Sequence, residues 1–582
     1  MTDPSQHKPK TSDVEQRYVI IDGKPFFPME QQEPSDTEET PRPLNDAIEK
    51  LVADYVRNLN EERKDTTPIH VNDIAIAVAK FYEMIRKVVD WKDDYTLRRS
   101  AIERILKRLL FSRVAGLKND YTDDPAVIAE TITNDLIRGG HLPNDEIPQE
   151  RVEYVTLSIS KYLEFLKYST TAKELPNIKD HINFTTFIIE IMACEIEDIL
   201  SDPFKEKLII LTMTKLIHER LRITPKDSIT QDELNAHIFI SVCRTVYDLD
   251  DSYIMYHLLQ FQYPDWKTLN AERIKELSSE MIKIWTQEHE VLNHAISKEL
   301  YNICEKVDTI FVLLDDFLQK HRNDPEEIKQ IISQKNRFTE EIREFYQKRF
   351  MSLKTRLFRL AIFSTFSVFA SNWVTFFLVE IPMAKIFFEG FNAFTTFIDF
   401  LIPTIVMFLL VLIIRPPPAK NIDSVLSTLY SFVYKNEKVS LYEIRLNRRG
   451  NSVLMFFIIA FYIFLTLIGF LAVGYVFYKA GLPITSVAFD TLTIALTVFA
   501  AVNIRNKSKE LIVDEKTSLT EFVMDMFSVP VAKVGSFLAK KWKEYNIVAI
   551  FFSVVIETPF NLITKIIESW SDFLKERRNE LH

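Results

Sequence analysis

The chain has 582 residues and a formal net charge of −10, from 71 Lys and Arg against 81 Asp and Glu. That length exceeds what one hydrophobic core usually organises, and the acidic balance leaves no positive excess for general phosphate-backbone binding, which argues against nucleic acid as a partner. Of ten glycines only Gly23, Gly116, Gly139 and Gly140 precede residue 357, so no G-x-G-x-x-G, G-x-x-x-x-G-K-[ST] or G-x-S-x-G can be written there, and the usual dinucleotide, P-loop and hydrolase-elbow signatures are missing.

Residues 1–43 are polar and acidic, bury little, and are expected to be disordered. RYVIIDGKPFFP at 17–28 is the one apolar patch in that stretch, able to clip onto the folded domain or onto a partner. From Leu44 to Asp324 apolar residues recur at three and four spacing, which predicts a helical domain. Thr230-Gln231-Asp232-Glu233 is a capping box ahead of HIFISVCRTVY. Cys194, Cys243 and Cys304 are too dispersed for a disulfide framework or a C-x-x-C knuckle.

Two motifs in this domain invite a chemical reading. Asp248-Leu249-Asp250-Asp251 is a D-x-D-D, a pattern that can hold Mg²⁺ or supply a carboxylic acid, but an acidic link between two helices accounts for it as well. His289-Glu290-Val291-Leu292-Asn293-His294 has one residue too many for H-E-x-x-H, so its histidines fall on different helical faces. The sequence therefore implies no catalytic residue, no metal and no cofactor.

No proline or glycine interrupts 326–381, which predicts one helix running from Pro325 through a connecting segment (325–356) into the first apolar run. Ile331, Phe338 and Phe345 lie seven apart with Ile342 at the partner heptad position, an imperfect seam that fits a homo-oligomer or packing onto the chain's own domain.

Four apolar runs follow within 357–504: Leu357–Val379, Phe394–Ile414, about Ser452–Tyr478 and about Thr485–Ile504. Each has about 20 residues or more, roughly 30 Å of helix, enough to cross a bilayer. Basic residues flank them at Lys348–Arg356, at Lys420–Arg449 and at Arg505–Lys509, always on the same side, which by the positive-inside rule places both ends in the cytoplasm. Asp399 and Asp490 sit fifteen or sixteen residues before a basic exit, Arg415 and Arg505, so the two helical hairpins read as a weak parallel repeat. An intramembrane acid is an ion or proton site candidate, whereas a carboxylate near a helix N-terminus also serves as a cap. Pro403, Gly469 and Gly474 are positions for kinks or close packing.

The segment 505–582 reads as a membrane-proximal tail. Residues 521–543 carry Phe527, Phe537 and Trp542 among lysines, which predicts an interfacial amphipathic helix, and the apolar run 547–556 is too short to span.

The stretches WKDDYTLRRSAIERILKRLLF at 91–111 and KKWKEYNIVAIFFSVVIETPF at 540–560 resemble segments of large, uncharacterised helical membrane proteins predicted in candidate-phyla bacteria. The resemblance implies a bacterial cytoplasmic membrane and no activity. The expectation is thus an all-α protein, with a helical cytoplasmic domain, a four-helix transmembrane bundle and a helical tail. Its partners would be the lipid bilayer and a cytoplasmic protein, its function that of a membrane-anchored interaction, scaffold or sensory protein, and the alternative an ion or proton channel or transporter using Asp399 and Asp490.

Overall fold

The computed structural model describes residues 19–21, 24–26, 41–62, 94–110, 124–144, 147–169, 178–201, 203–225, 229–292, 294–375, 377, 393–445, 452–481, 484–513, 519–545, 570 and 573. The described residues are predominantly helical. Two short strands, β1 (Val19–Ile21) and β2 (Lys24–Phe26), pair antiparallel inside the apolar patch of the N-terminal stretch. The remainder of that stretch, and the run 547–556, lie outside the described residues.

The N-terminal helical region opens with α1 (Asp46–Glu62), α2 (Asp94–Leu109), α3 (Pro125–Arg138) and α4 (Gln149–Ser169), followed by α5 (Ile178–Ser201) and α6 (Phe204–Arg220). It continues through α7 (Gln231–Val246), α8 (Asp251–Gln262), α9 (Ala271–Leu292), α10 (Ala295–Cys304) and α11 (Asp308–Lys320). Helix α5 is the centre: it packs against α2, α4 and α8, and from Phe187 to Leu200 nearly every residue is buried. A helix so enclosed must be apolar all round, and FIIEIMACEIEDIL is, apart from its acids. The capping box forms as the sequence predicts, with the Thr230 side chain accepting from the Glu233 amide and Glu233 reaching back to the Thr230 N–H at 3.0 Å. All three cysteines are buried thiols.

The helix from Pro325 is not continuous. It divides at Gln334, whose backbone is extended (ψ 98°), into α12 (Pro325–Ser333) and α13 (Lys335–Thr375). The kink lets both pieces turn their apolar faces to the same core: Ile331, Phe338 and Ile342 are fully enclosed, and Phe338 meets Phe317 of α11 edge to face at 5.1 Å. Phe345 is partly buried beneath Lys320, whose Nζ sits 5.4 Å from the ring centre. The heptad positions are thus spent on the chain's own domain.

Beyond α13 come α14 (Ala393–Ile413), α15 (Asn421–Val433), α16 (Ser452–Lys479), α17 (Ile484–Ser508) and α18 (Leu519–Tyr545). Helices α13, α14 and α17 pack on one another, and α16 and α18 pack against α17 and each other. Among the described residues three helices are long and apolar enough to cross a membrane: Val453–Lys479 in α16, Val487–Ser508 in α17 and Glu521–Lys541 in α18, with Leu401–Ile413 a shorter apolar helix in α14. Much of α16 is exposed apolar surface, the pattern of a helix that faces lipid.

Helix α18, which the sequence leads one to expect at the membrane interface, lies along α17 for much of its length. Arg505 pairs with Asp525 at one end of the hairpin, and ten residues further along each helix Gly535 meets Ala495 so closely that a methyl group would overlap the Ala495 carbonyl oxygen. Glycine is what permits the approach. Periodicity shows that α18 has an apolar face and lysines, but not that a small residue on it fits a neighbour.

Candidate functional site

Three acids on α5 stand in an apolar helix, each compensated differently. Glu195 is satisfied throughout: Lys161 of α4 donates to both its oxygens (2.7 and 2.8 Å), and the Tyr162 hydroxyl (2.8 Å) and Trp266 indole N–H (3.0 Å) donate to Oε2. The third ammonium proton of Lys161 goes to the Trp266 carbonyl at 3.0 Å. Such a closed network fixes how α4 and α5 seat the loop at Trp266 and has no group left over for a ligand. Asp198 pairs with Lys207 and with Lys267 (2.8 Å); burial opposes its ionisation, yet the two ammonium groups hold it below the ordinary carboxylate range.

Glu197 is the exception. It is 4% exposed, its Oε2 receives no hydrogen bond, and its closest cation is Arg98, with Nε 3.6 Å from Oε1. Burial pushes its carboxyl up to about 7, against the pull of Arg99 and Arg98. Arg99, itself 2% exposed, pairs with Asp250 instead and lies over the Tyr253 ring. Sequence reasoning passed over Arg98, Glu195 and Glu197; the readable signal was a cluster of acids inside the apolar run FIIEIMACEIEDIL.

The D-x-D-D motif does not gather its carboxylates on one ligand. Asp250 caps α8, accepting from the Tyr253 amide at 3.0 Å, and pairs with Arg99, whereas Asp251 accepts from Arg244 at 2.7 Å. Asp248 adopts a left-handed backbone (φ 48°), which aspartate tolerates better than most residues, and so turns the chain into α8. His294 caps α10 and stacks on His237 at 4.9 Å. Among the described residues no group of three or more His, Cys, Asp or Glu side chains is placed to hold a metal ion.

Between the apolar helices, Asp490 of α17 is 5% exposed and Asn372 of α13 is 8% exposed. Counting from the Arg356–Glu510 ion pair, Asn372 lies sixteen residues out along α13 and Asp490 eighteen residues from the end of α17 at Ser508, about 24 and 27 Å at the helical rise. Asp399 lies on α14, which packs on both helices; its side chain falls outside the described residues, as does that of Trp542. Pro403 is buried inside α14. A methyl group on Gly469 would stand 3.1 Å from Val531 Cγ2 of α18, while one on Gly474 would make ordinary contacts of 3.6 Å with Val487. Phe527 and Phe537 point outward from the bundle, 52% and 60% exposed.

No family model, curated protein or solved structure matches the chain.

What sets the arrangement apart is how the apolar helices join the N-terminal helical region. The described part of the segment between α14 and α16 is packed: α15 buries Val425, Leu429, Phe432 and Val433 in the core of the N-terminal helices, and β4 (Tyr442–Arg445) pairs parallel with β3 (Leu221–Thr224). Arg220 lies 3.5 Å over the Phe432 ring and donates to Ser431 at 3.3 Å. At the start of α15 the Asn421 amide donates to the Tyr346 hydroxyl of α13 (2.9 Å) and to the Leu511 carbonyl just after α17 (2.6 Å). Thr309 of α11 donates to the Glu510 carbonyl at 3.1 Å, and Arg356 pairs with the Glu510 side chain. The enclosed Asn421 contact therefore joins the middle of α13 to the segments leaving α14 and α17, with the exposed Arg356–Glu510 pair beside it.

Proposed function

We propose that the chain is a membrane-anchored sensory or scaffold protein, whose helical domain lies in the cytoplasm and passes its conformational state to and from a membrane bundle. The Asn421 node carries this reading. It ties three of the bundle's connections to a core otherwise made of soluble helices, so a shift in α13 or α17 requires the domain to repack. In this reading the outer half of α13 with α14, α16 and α17 are the four crossings expected from the sequence, and the basic flanks Lys354, Arg415, Lys420 and Arg505 mark their cytoplasmic ends by the positive-inside rule. In this reading α18, packed along α17 and long and apolar enough to cross, is a fifth crossing helix. Protein partners would meet exposed apolar residues of the domain such as Leu157 and Leu211.

A photo-crosslinking residue at Leu157 in the full chain in cells tests this. A defined set of cytoplasmic proteins should be captured, and Asn421→Leu should alter the set while the protein still inserts into the membrane. An identical set in both contradicts the coupling.

A second reading, an ion or proton channel, is favoured by Asp490, an enclosed carboxyl at about the level of buried Asn372. Liposomes holding the wild type should then conduct protons or monovalent cations, and a folded Asp490→Asn variant should not. Absence of flux from the wild type speaks for the sensory reading.

A further inference from the structure

A cleft of about 250 Å³ opens where α2, α5, the first turn of α6 and the α7–α8 turn meet the ends of α1 and α11. Tyr55, Phe204, Tyr247 and Tyr253 wall it. Two of those rings have spent their hydroxyls elsewhere: Tyr55 donates to the Leu318 carbonyl at 3.0 Å and Tyr247 to Asp315 at 2.9 Å. They turn mainly apolar surface to the cleft. The lining Lys205 is held by the same Asp315 at 3.0 Å, which neutralises it.

The ion pair of Glu197 and Arg98 also lines the cleft, each with one atom left without a hydrogen bond, while the lining Glu206 in the first turn of α6 has Lys205 at 3.9 Å. The enclosed Glu197 Oε2 has no donor, and Arg98 Nε, 3.6 Å from the other carboxylate oxygen, has no hydrogen-bond acceptor. The first turn of α6, at Pro203–Glu206, also lines the cleft, and no side chain among the described residues caps it. Buried polar groups without partners are rare and costly, and an uncapped helix start attracts a carboxylate or phosphate. An amine alone would answer Glu197 and leave Arg98 and the helix start; a carboxylate alone would do the reverse. The volume lies below that of drug-sized pockets and suits a small metabolite.

We propose that this cleft binds a free α-amino acid, its ammonium on Glu197, its carboxylate between Arg98 and the start of α6, and an apolar side chain against Phe204 and Tyr253. The inference deepens the sensory reading by naming what is sensed. Binding is measured on its own, whereas coupling to the membrane helices is measured by a different experiment, so each can fail without the other.

The test is thermal unfolding of the full chain in nanodiscs at pH 8 with L-phenylalanine or L-leucine, and with phenethylamine and 3-phenylpropionate, which each lack one charge. The amino acids should raise the midpoint by on the order of a few degrees and saturate. Both truncated analogues should need at least about tenfold more ligand, and Glu197→Gln and Arg98→Gln should each weaken amino-acid binding by at least about tenfold. The ligand-free midpoint of Glu197→Gln should be no lower than wild type, which separates lost binding from lost folding. No shift with either amino acid, equal shifts with the truncated analogues, or undiminished binding by a folded Glu197→Gln overturns the proposal.

Discussion

The Asn421 side-chain amide donates to the Tyr346 hydroxyl across 2.9 Å, joining the helix that enters the apolar bundle to the segment that returns from it. Its second proton goes to the Leu511 carbonyl, so one residue closes a three-way contact enclosed from solvent. The contact can be weakened stepwise. Tyr346→Phe removes one hydrogen bond and should cost about 1 kcal/mol, whereas Asn421→Leu leaves both the hydroxyl and the carbonyl without a donor and should cost about 2–3 kcal/mol. Chemical denaturation of the full protein in detergent, followed at the N-terminal helices, gives both differences; equal, negligible losses would mean that the node bears no load.

Glu197 makes stability depend on pH in a calculable direction. Its carboxyl titrates near 7 when folded, against 4.5 for the free side chain, so the native state holds the extra proton between those values. Stability contributed by that proton is present below pH 4.5 and lost as pH rises through 7, on the order of 3 kcal/mol in all. His237 and His257, depressed by burial to about 4, work in the opposite sense, losing stability as pH falls below 6.5. The difference between wild type and Glu197→Gln isolates the glutamate: the variant should be the more stable at pH 8 and gain little at pH 5. A gain of the same size at both would refute the assignment.

Gly535 and Gly474 differ in what a side chain would meet. Alanine at 535 must push against the Ala495 carbonyl and stand 2.8 Å from Phe499 Cβ, which requires α17 and α18 to separate. Alanine at 474 finds ordinary contacts. The first substitution should destabilise the bundle by about 2 kcal/mol or more and the second by less than about 1 kcal/mol. Melting of the two variants in detergent should show this order, and the reverse order would mean that the helices are not so apposed.

A fifth crossing has a topological consequence. If α18 follows α17 through the bilayer, a cysteine in place of Lys541 emerges on the face opposite Arg505, and a membrane-impermeant maleimide should label it only from that face. Labelling from the side of the N-terminal helices alone would return α18 to the interface, where its lysines first suggested it lay.

Much of the helical class was legible because three and four spacing and long apolar runs are local properties. The capping box at Thr230 was legible for the same reason. What escaped depends on pairing at a distance. Gln334 carries no break signal, yet α12 and α13 bend there so that Ile331 and Phe338 reach one core. The stretch 416–451 reads as a loop between apolar runs because α15 is short, and only Arg220 over Phe432 and the pairing of Ile223 with Ile444 show it to pack with the N-terminal helices. Asp250 stood out by its neighbours Asp248 and Asp251, whereas the acid left without a hydrogen bond, Glu197, sat unremarked among isoleucines.

The claim that bundle and domain move as one is tested most directly by hydrogen exchange on the full chain in nanodiscs carrying Gly535→Leu, a wedge placed between α17 and α18. The account predicts faster exchange at 509–513 and along α15, far from the wedge, and loss of that transmission when Asn421→Leu is added. Exchange altered only within α16, α17 and α18, with α15 untouched, would contradict it.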